Sequence, residues 1–316
     1  MSDLLKVGLA QIAPIWLDRK KTIEKITGYI QDAAKQQAEL VVFGEALVPG
    51  YPFWVDKLHG ATFNSPMHKE IHARYIDQAV CVEQGHLDEI CNVAKEKHIS
   101  IYLGIIEKPP ERGGHSLYCT MAYIDQQGEI RSLHRKLRPT YDERLAWSPG
   151  DGNGLVTHKL PPFTVGGLNC WENWMPMARA ALYAQGEDLH VSIWPGSKRN
   201  TSMLVPVIAQ EARSYVVAVS GLFRPEDIPD DFPYAEEMRS KTDGILADGG
   251  SCLAAPDGSW VVEPFTNKED LVIAEISHQK VREERQNFDP SGHYSRPDVL
   301  QLHVNWERQS VAKFTS

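Results

Sequence analysis

Val165-Gly166-Gly167-Leu168-Asn169-Cys170-Trp171-Glu172-Asn173 decides how the rest of the chain is read. Residues 165–168 form a short apolar run of the kind buried in a sheet, and residues 177–185 carry a helical pattern. Between them the chain must turn sharply at Cys170. Strand, tight turn and helix make an α/β unit. Such a turn exposes the side chain at its apex and aims free backbone N–H groups at a reacting atom. Downstream the alternation continues, with strands expected at 189–193 and 215–222 and a helix at 204–215. A hairpin follows, 251–255 and 260–263 about Pro256-Asp257-Gly258-Ser259, then a strand at 271–276 and a charged helix to about Gln286. Upstream lie a strand at 7–12, a helix at 22–37 with Ile23, Ile26, Ile30 and Ala34 on one side, and a buried strand at 40–43. A helix at 85–97, a strand at 99–106 and a hairpin of 116–124 with 129–134 complete that half. A mixed sheet covered by helices follows from this order, an α/β fold. Residues 52–72 and 224–242 read as long insertions, and the tail from about Asp289 as polar and extended.

The bulk numbers exclude several classes. A net charge of −9 argues against a nucleic-acid binder. No apolar run approaches the roughly 18 residues of a membrane span. The N-terminus lacks the basic start and apolar stretch of a signal peptide. Cys81, Cys91, Cys119, Cys170 and Cys252 are odd in number and show no Cys-x-x-Cys spacing. That pattern suits free thiols in a reducing cytoplasm better than disulfides or a zinc site. No linker divides the middle, so one domain is expected.

Three reactive side chains stand where strands end: Glu45 after 40–43, Lys136 after 129–134 and Cys170 after 165–168. Ligands gather at the carboxyl ends of strands in α/β sheets, so these distant residues can converge. A thiol with an ordinary pKa near 8.5 is mostly protonated at neutral pH and needs a base or cation to act as a nucleophile. Glu45 can take the proton, and Lys136 can stabilise developing negative charge. The ordinary fate of a free cysteine is to be a small buried apolar residue, and Cys170 alone would be read that way.

The three segments together resemble the nitrilase (carbon–nitrogen hydrolase) superfamily, over nearly the whole chain and in the expected order. Phe43-Gly44-Glu45-Ala46 with Pro49-Gly50-Tyr51-Pro52 is similar to its glutamate motif. His134-Arg135-Lys136-Leu137-Arg138-Pro139-Thr140 is similar to its lysine motif, and Leu168-Asn169-Cys170-Trp171-Glu172-Asn173 to its cysteine motif. Gly150-Asp151-Gly152 and Gly292-His293-Tyr294-Ser295-Arg296-Pro297-Asp298 extend the likeness. Cys-Trp-Glu resembles the nitrilase branch rather than the amidases.

The resemblance implies a four-layer α-β-β-α sandwich with two mixed sheets, a domain over 1–288 and a tail over 289–316 used in subunit contacts. It implies a homo-oligomer, a dimer or a larger assembly such as a spiral; the free thiols place it in the cytoplasm, and no cofactor or metal is expected. The implied reaction takes a small nitrile to its acid and ammonia through a thioimidate and a thioester. Cys170 would be nucleophile, Glu45 general base, Lys136 and the Trp171 N–H stabilisers, and Glu143 a second glutamate that orients the lysine or water. An amidase, a nitrile-hydrating enzyme or a non-catalytic scaffold are the alternatives on the same fold.

Tyr51, Trp54, Trp147, Trp171 and Trp194 are candidates for an apolar substrate pocket, with core packing the competing role for each. His68 and His72 have a zinc-like i, i+4 spacing but no evident third ligand, and read as a helix surface. Gly150-Asp151-Gly152-Asn153-Gly154 reads as a turn, and residues 280–285 as a solvated charged face.

Overall fold

The computed structural model describes residues 3–242 and 244–312. Its first half runs β1 (Leu4–Gln11), α1 (Arg19–Lys35), β2 (Leu40–Phe43), α2 (Trp54–Lys57), α3 (Pro66–Gln78) and α4 (Asp88–Lys97). It continues with β3 (Ser100–Glu107), β4 (Tyr118–Ile124) and β5 (Ile130–Arg135). The second half runs β6 (His158–Leu160), β7 (Phe163–Asn169), α5 (Pro176–Tyr183), β8 (Leu189–Trp194), α6 (Lys198–Ala212), β9 (Tyr215–Ser220) and β10 (Leu222–Phe223). It closes with α7 (Ala235–Ser240), β11 (Ala247–Ala254), β12 (Trp260–Thr266), β13 (Asp270–Ser277) and α8 (His278–Glu284).

The strands form two mixed sheets. One has six strands in the order β13-β1-β2-β3-β4-β5. The other has seven, β10-β11-β9-β8-β7-β6, with β12 paired to β11. Pairing is parallel along β1-β2-β3 and along β7-β8-β9, and antiparallel elsewhere. Two antiparallel steps from β3 through β4 return β5 to the direction of β2. The carboxyl ends of β2 and β5 therefore lie on one edge, and Glu45 and Lys136 come with them.

Alternation fixes the layers. Val7, Leu9, Leu40, Val42 and Tyr102 from the first sheet meet Val165, Val191, Ile193, Val217 and Val219 from the second in one buried cluster. Each fully buried aliphatic side chain there contributes roughly 1.5–3 kcal/mol. The opposite face of the first sheet is covered by α1 and α4 through Ile23, Ile26, Ile30, Ile90 and Val93. The outer face of the second is covered by α6 through Leu204, Val205, Ile208 and Ala209. Helix, sheet, sheet and helix make the four-layer sandwich that the resemblance implies.

Some boundaries differ from the sequence reading. The segment 52–72 holds α2 and the start of α3, whose entry is signalled by Ser65 accepting the His68 N–H and by Pro66 in the first turn. Helix α3 buries only Ile71 and Tyr75, too sparse a stripe to stand out in the sequence. The acidic segment 224–242 contains α7. Helix α6 starts at Lys198 and runs through Pro206, where a first-turn proline would place the start later. Gly221 interrupts the run read as one strand, so β9 and β10 are separate. The tail has no helix or strand among its described residues; Arg308 pairs with Asp151 at 2.9 Å, and Asn153 Nδ2 donates to the Trp306 carbonyl at 2.9 Å.

Candidate active site

Glu45 sits two residues past β2, where the chain passes between the sheets. Space there is too tight for side chains at Gly44 and Gly104: a Cβ on Gly104 would lie 2.3 Å from the Gly44 carbonyl oxygen. The Glu45 N–H donates across to the Trp194 carbonyl of β8 at 3.1 Å, fixing the residue to both sheets. Lys136 follows β5 directly; its N–H donates to the Cys119 carbonyl at 2.7 Å, and its carbonyl accepts the Gly150 N–H at 2.8 Å. Glu143 lies in a 3-10 turn, Tyr141–Leu145, locked by a reciprocal cap with Thr140.

Cys170 opens a second 3-10 turn, Cys170–Trp174, with φ of +45°, a left-handed conformation that costs an L-residue roughly 1–2 kcal/mol. Surrounding bonds hold the turn in place. Asn173 Nδ2 donates to the Cys170 carbonyl at 2.8 Å and to the Leu168 carbonyl at 3.2 Å. Behind it a fully buried chain runs from Asn173 Oδ1 to His190 Nε2 at 2.8 Å, and from His190 Nδ1 to Glu187 at 2.9 Å. Glu172 accepts the Asn169 N–H at 2.9 Å and the Leu137 N–H at 2.6 Å, and lies 3.0 Å from His134 Nε2. One carboxylate thus ties the cysteine turn to the residues flanking Lys136. Burial works against its charge, but His134 and the two N–H donors hold its pKa below the ordinary value.

The three ends meet. A carboxylate oxygen of Glu45, one of Glu143 and the Cys170 sulfur all lie within 4.8 Å of one another. Lys136 Nζ is 2.9 Å from Glu45 Oε1 and 2.7 Å from Glu143 Oε2, and all four groups are buried.

Burial pushes the Glu45 carboxyl up to about 7, with Lys136 pulling it down and Glu143 pushing it further up. Burial and the charges of Glu45 and Glu143 raise the Cys170 thiol well above its ordinary value, while Lys136 and the Trp171 N–H oppose them. Burial would lower the Lys136 pKa, but the surrounding acids keep it well above the ordinary value. The resting group is therefore a neutral thiol, a permanent ammonium and a carboxyl poised near neutrality. It can pass a proton from sulfur to Glu45 as a bond forms at sulfur.

The candidate aromatics separate into two sets. Tyr51 donates its hydroxyl proton to Glu143 Oε1 at 2.9 Å and meets Trp147 edge-on, and the Trp147 ring centroid is 5.7 Å from Lys136 Nζ. Trp54 packs behind them against Tyr75 and Trp16, and Trp194 is fully buried with Nε1 donating to Ser192 Oγ. The Trp171 side chain is 46% exposed. A cleft of about 310 Å³, lined by Tyr51, Phe53, Thr140, Tyr141, Glu143 and Leu246 among others, reaches Glu143 from outside. His68 Nε2 bonds the Leu58 carbonyl from helix α3, a structural contact, and Lys280 pairs with Asp257 and Glu284. The sequence reading gave no role of their own to Cys119, His134, His190 and Glu187; the first three bond partners distant in sequence, Glu45, Glu172 and Asn173, and Glu187 acts through its near neighbour His190.

Over residues 6–286 the chain matches the family model described as carbon-nitrogen hydrolase. It is 35% identical to "Nitrilase 2" from an unknown prokaryotic organism, over 95% of this chain and 92% of that protein. It is 31% identical to an aliphatic nitrilase from Rhodococcus rhodochrous, over 96% of this chain and 83% of that one. Among solved structures, a carbon-nitrogen hydrolase from Helicobacter pylori superimposes with a TM-score of 0.70 at 18% identity, covering 93% of this chain and 96% of that one, a likeness of fold. The chain belongs to the carbon-nitrogen hydrolase family, within its nitrilase branch.

Proposed function

We propose that this chain is a nitrilase that hydrolyses an organic nitrile to its carboxylic acid and ammonia through a covalent bond to Cys170. The observation that carries the reading is the buried meeting of a thiol, two carboxylates and one ammonium. Glu45 takes the thiol proton as Sγ adds to the nitrile carbon, and that proton passes to the nitrile nitrogen to give a thioimidate. Water adds to the thioimidate with its proton passing through Glu45 to nitrogen, and the C–N bond breaks to release ammonia and leave a thioester. A second water hydrolyses the thioester and restores the thiol. Lys136 and the Trp171 N–H stabilise the tetrahedral species, and Glu143 orients Lys136. Tyr51 and Trp147 wall the substrate, with Trp54 and Trp194 supporting that wall from behind and Trp171 contributing its backbone. The nitrilases among the relatives support the substrate class.

In this reading residues 1–288 form the catalytic unit, and the enzyme works as a homo-oligomer in a reducing cytoplasm. Its free cysteines support the setting, and the exposed Met177, Met203 and Val207 on α5 and α6 support assembly.

A panel of aliphatic and aryl nitriles, scored for acid, ammonia and amide, tests the function. Acid and equimolar ammonia should form with amide a minor product. Turnover of amides with no acid from any nitrile would sink the reading. Glu45 must be ionised to accept a proton, so kcat/KM should fall as pH drops through about 7, the pKa that burial gives it. The fall should approach tenfold per pH unit on the acid side. An acid limb near 4.5, the ordinary value for glutamate, would show that burial does not raise Glu45, and the absence of any acid limb would remove Glu45 from the role.

A further inference from the structure

We propose that Cys119, a second buried thiol beside the reacting groups, is a positioning residue that holds one oxygen of Glu45 and leaves the other to serve as the base. The inference rests on the reading of Glu45 as the proton acceptor. Cys119 lies on β4 and is buried, and its S–H donates to Glu45 Oε1 at 3.4 Å. The same oxygen takes the Lys136 ammonium at 2.9 Å. Glu45 Oε2 is buried and has no hydrogen-bond partner among the described residues. The two oxygens of one carboxylate are therefore unequal. Oε1 is spent on two donors, and Oε2 keeps its lone pairs for the proton that leaves the nucleophile.

The backbone of Cys119 adds a second hold. Its carbonyl accepts the Lys136 N–H at 2.7 Å, so one residue touches the base through sulfur and the cation through its main chain. The sheet fixes that placement: Cys119 pairs with Ile106 of β3, and the next residue, Thr120, pairs with Arg135 of β5. A shift in either pairing would move Lys136 against Glu45.

Donor strength explains why a thiol stands here. A hydroxyl at this point would bond the carboxylate more strongly and lower its basicity more; a thiol is a weak donor that orients at smaller cost. Burial and the Glu45 charge keep the Cys119 thiol well above its ordinary pKa, so it stays protonated and does not compete with Cys170. The other groups facing Glu45 are Lys136 after β5, Glu143 in the Tyr141–Leu145 turn, and Cys170.

The test is the pH dependence of kcat/KM in the full-length enzyme, for a nitrile that the wild type turns over. Cys119→Ala removes the donor, so the acid limb should move up by roughly half a unit to one unit. Cys119→Ser supplies a stronger donor in nearly the same volume, so the limb should move down. Opposite shifts support the positioning role. Limbs that stay put in both variants, with activity lowered equally at every pH, overturn it and leave Cys119 as packing. If Cys119→Ala does not fold, the downward shift in Cys119→Ser carries the test, together with the pH profile of Cys170 alkylation by iodoacetamide. A wild type inert toward every nitrile counts against the parent reading, and the alkylation profile then still decides the part played by Cys119.

Discussion

Cys170→Ala should lower nitrile hydrolysis by roughly 10⁵-fold or more, to the assay background, while leaving the fold intact. The activity loss follows from chemistry. No other group in the cluster can form the carbon–sulfur bond, and Cys119, the thiol that bonds Glu45, is committed to that carboxylate at 3.4 Å and held protonated. The survival of the fold follows from geometry. The strained φ of +45° at position 170 is set by bonds from Asn173 to main-chain carbonyls, none of which uses the sulfur. Alanine carries the same Cβ as cysteine, so the strain is unchanged, and the cost of the lost sulfur is about 1 kcal/mol. Serine should not restore activity. An alkoxide is far more basic than a thiolate, and a carboxylate titrating near 7 is too weak to generate one. Steady-state kinetics with thermal unfolding of both variants checks this. Activity in Cys170→Ala at one per cent of wild type, after removal of contaminating enzyme, would place the nucleophile elsewhere.

The strand ends that carry Glu45 and Cys170 were legible because short apolar runs at 40–43 and 165–168 precede them, and that of Lys136 because it follows the second strand of a hairpin at 129–134. The division into two sheets came from the family resemblance alone, since β2 and β8 are both four-to-six-residue runs buried on both faces and nothing in their composition says which neighbours they pair with. That information sits in the long-range packing of Leu9 and Val42 against Val191 and Val219. Glu143 could be matched to a motif, and the Thr140-x-x-Glu143 spacing is a capping signature that would have explained how its carboxylate is held. Glu172 was legible only as a branch marker; that it bonds Leu137 and His134, far upstream, is a property of the fold. Tryptophan was the least informative signal. Trp54 stands beside the glutamate motif and Trp194 at a strand end, yet both pack behind the cluster, whereas Tyr51 reaches it through a polar hydroxyl that hydrophobicity alone would not single out.

Lys136→Met should cost both activity and stability, and the pH dependence of the stability loss distinguishes an electrostatic role from simple packing. Methionine keeps the length of the lysine stem but leaves Glu45 and Glu143, both buried, without the ammonium that lies 2.9 Å from one and 2.7 Å from the other. Nitrile turnover should fall by roughly 10³-fold or more, since the variant loses the donor that stabilises the tetrahedral species. It also loses the base at neutral pH. Without Lys136 pulling it down, the Glu45 pKa rises above its present value of about 7, and the carboxyl stays protonated. Breaking one partner out of a buried ionic group costs about 3–5 kcal/mol, because the charges left behind have no compensation. A carboxyl whose folded pKa is raised above its unfolded value contributes stability below the unfolded pKa and loses it as pH rises through the folded one. The gap between Lys136→Met and wild type should therefore be wide at pH 9 and should narrow toward pH 6 as Glu45 protonates. Thermal unfolding of both proteins at several pH values measures that gap directly. A deficit of equal size across the range would mean that the ammonium is not balancing those carboxylates and that the loss is one of packing.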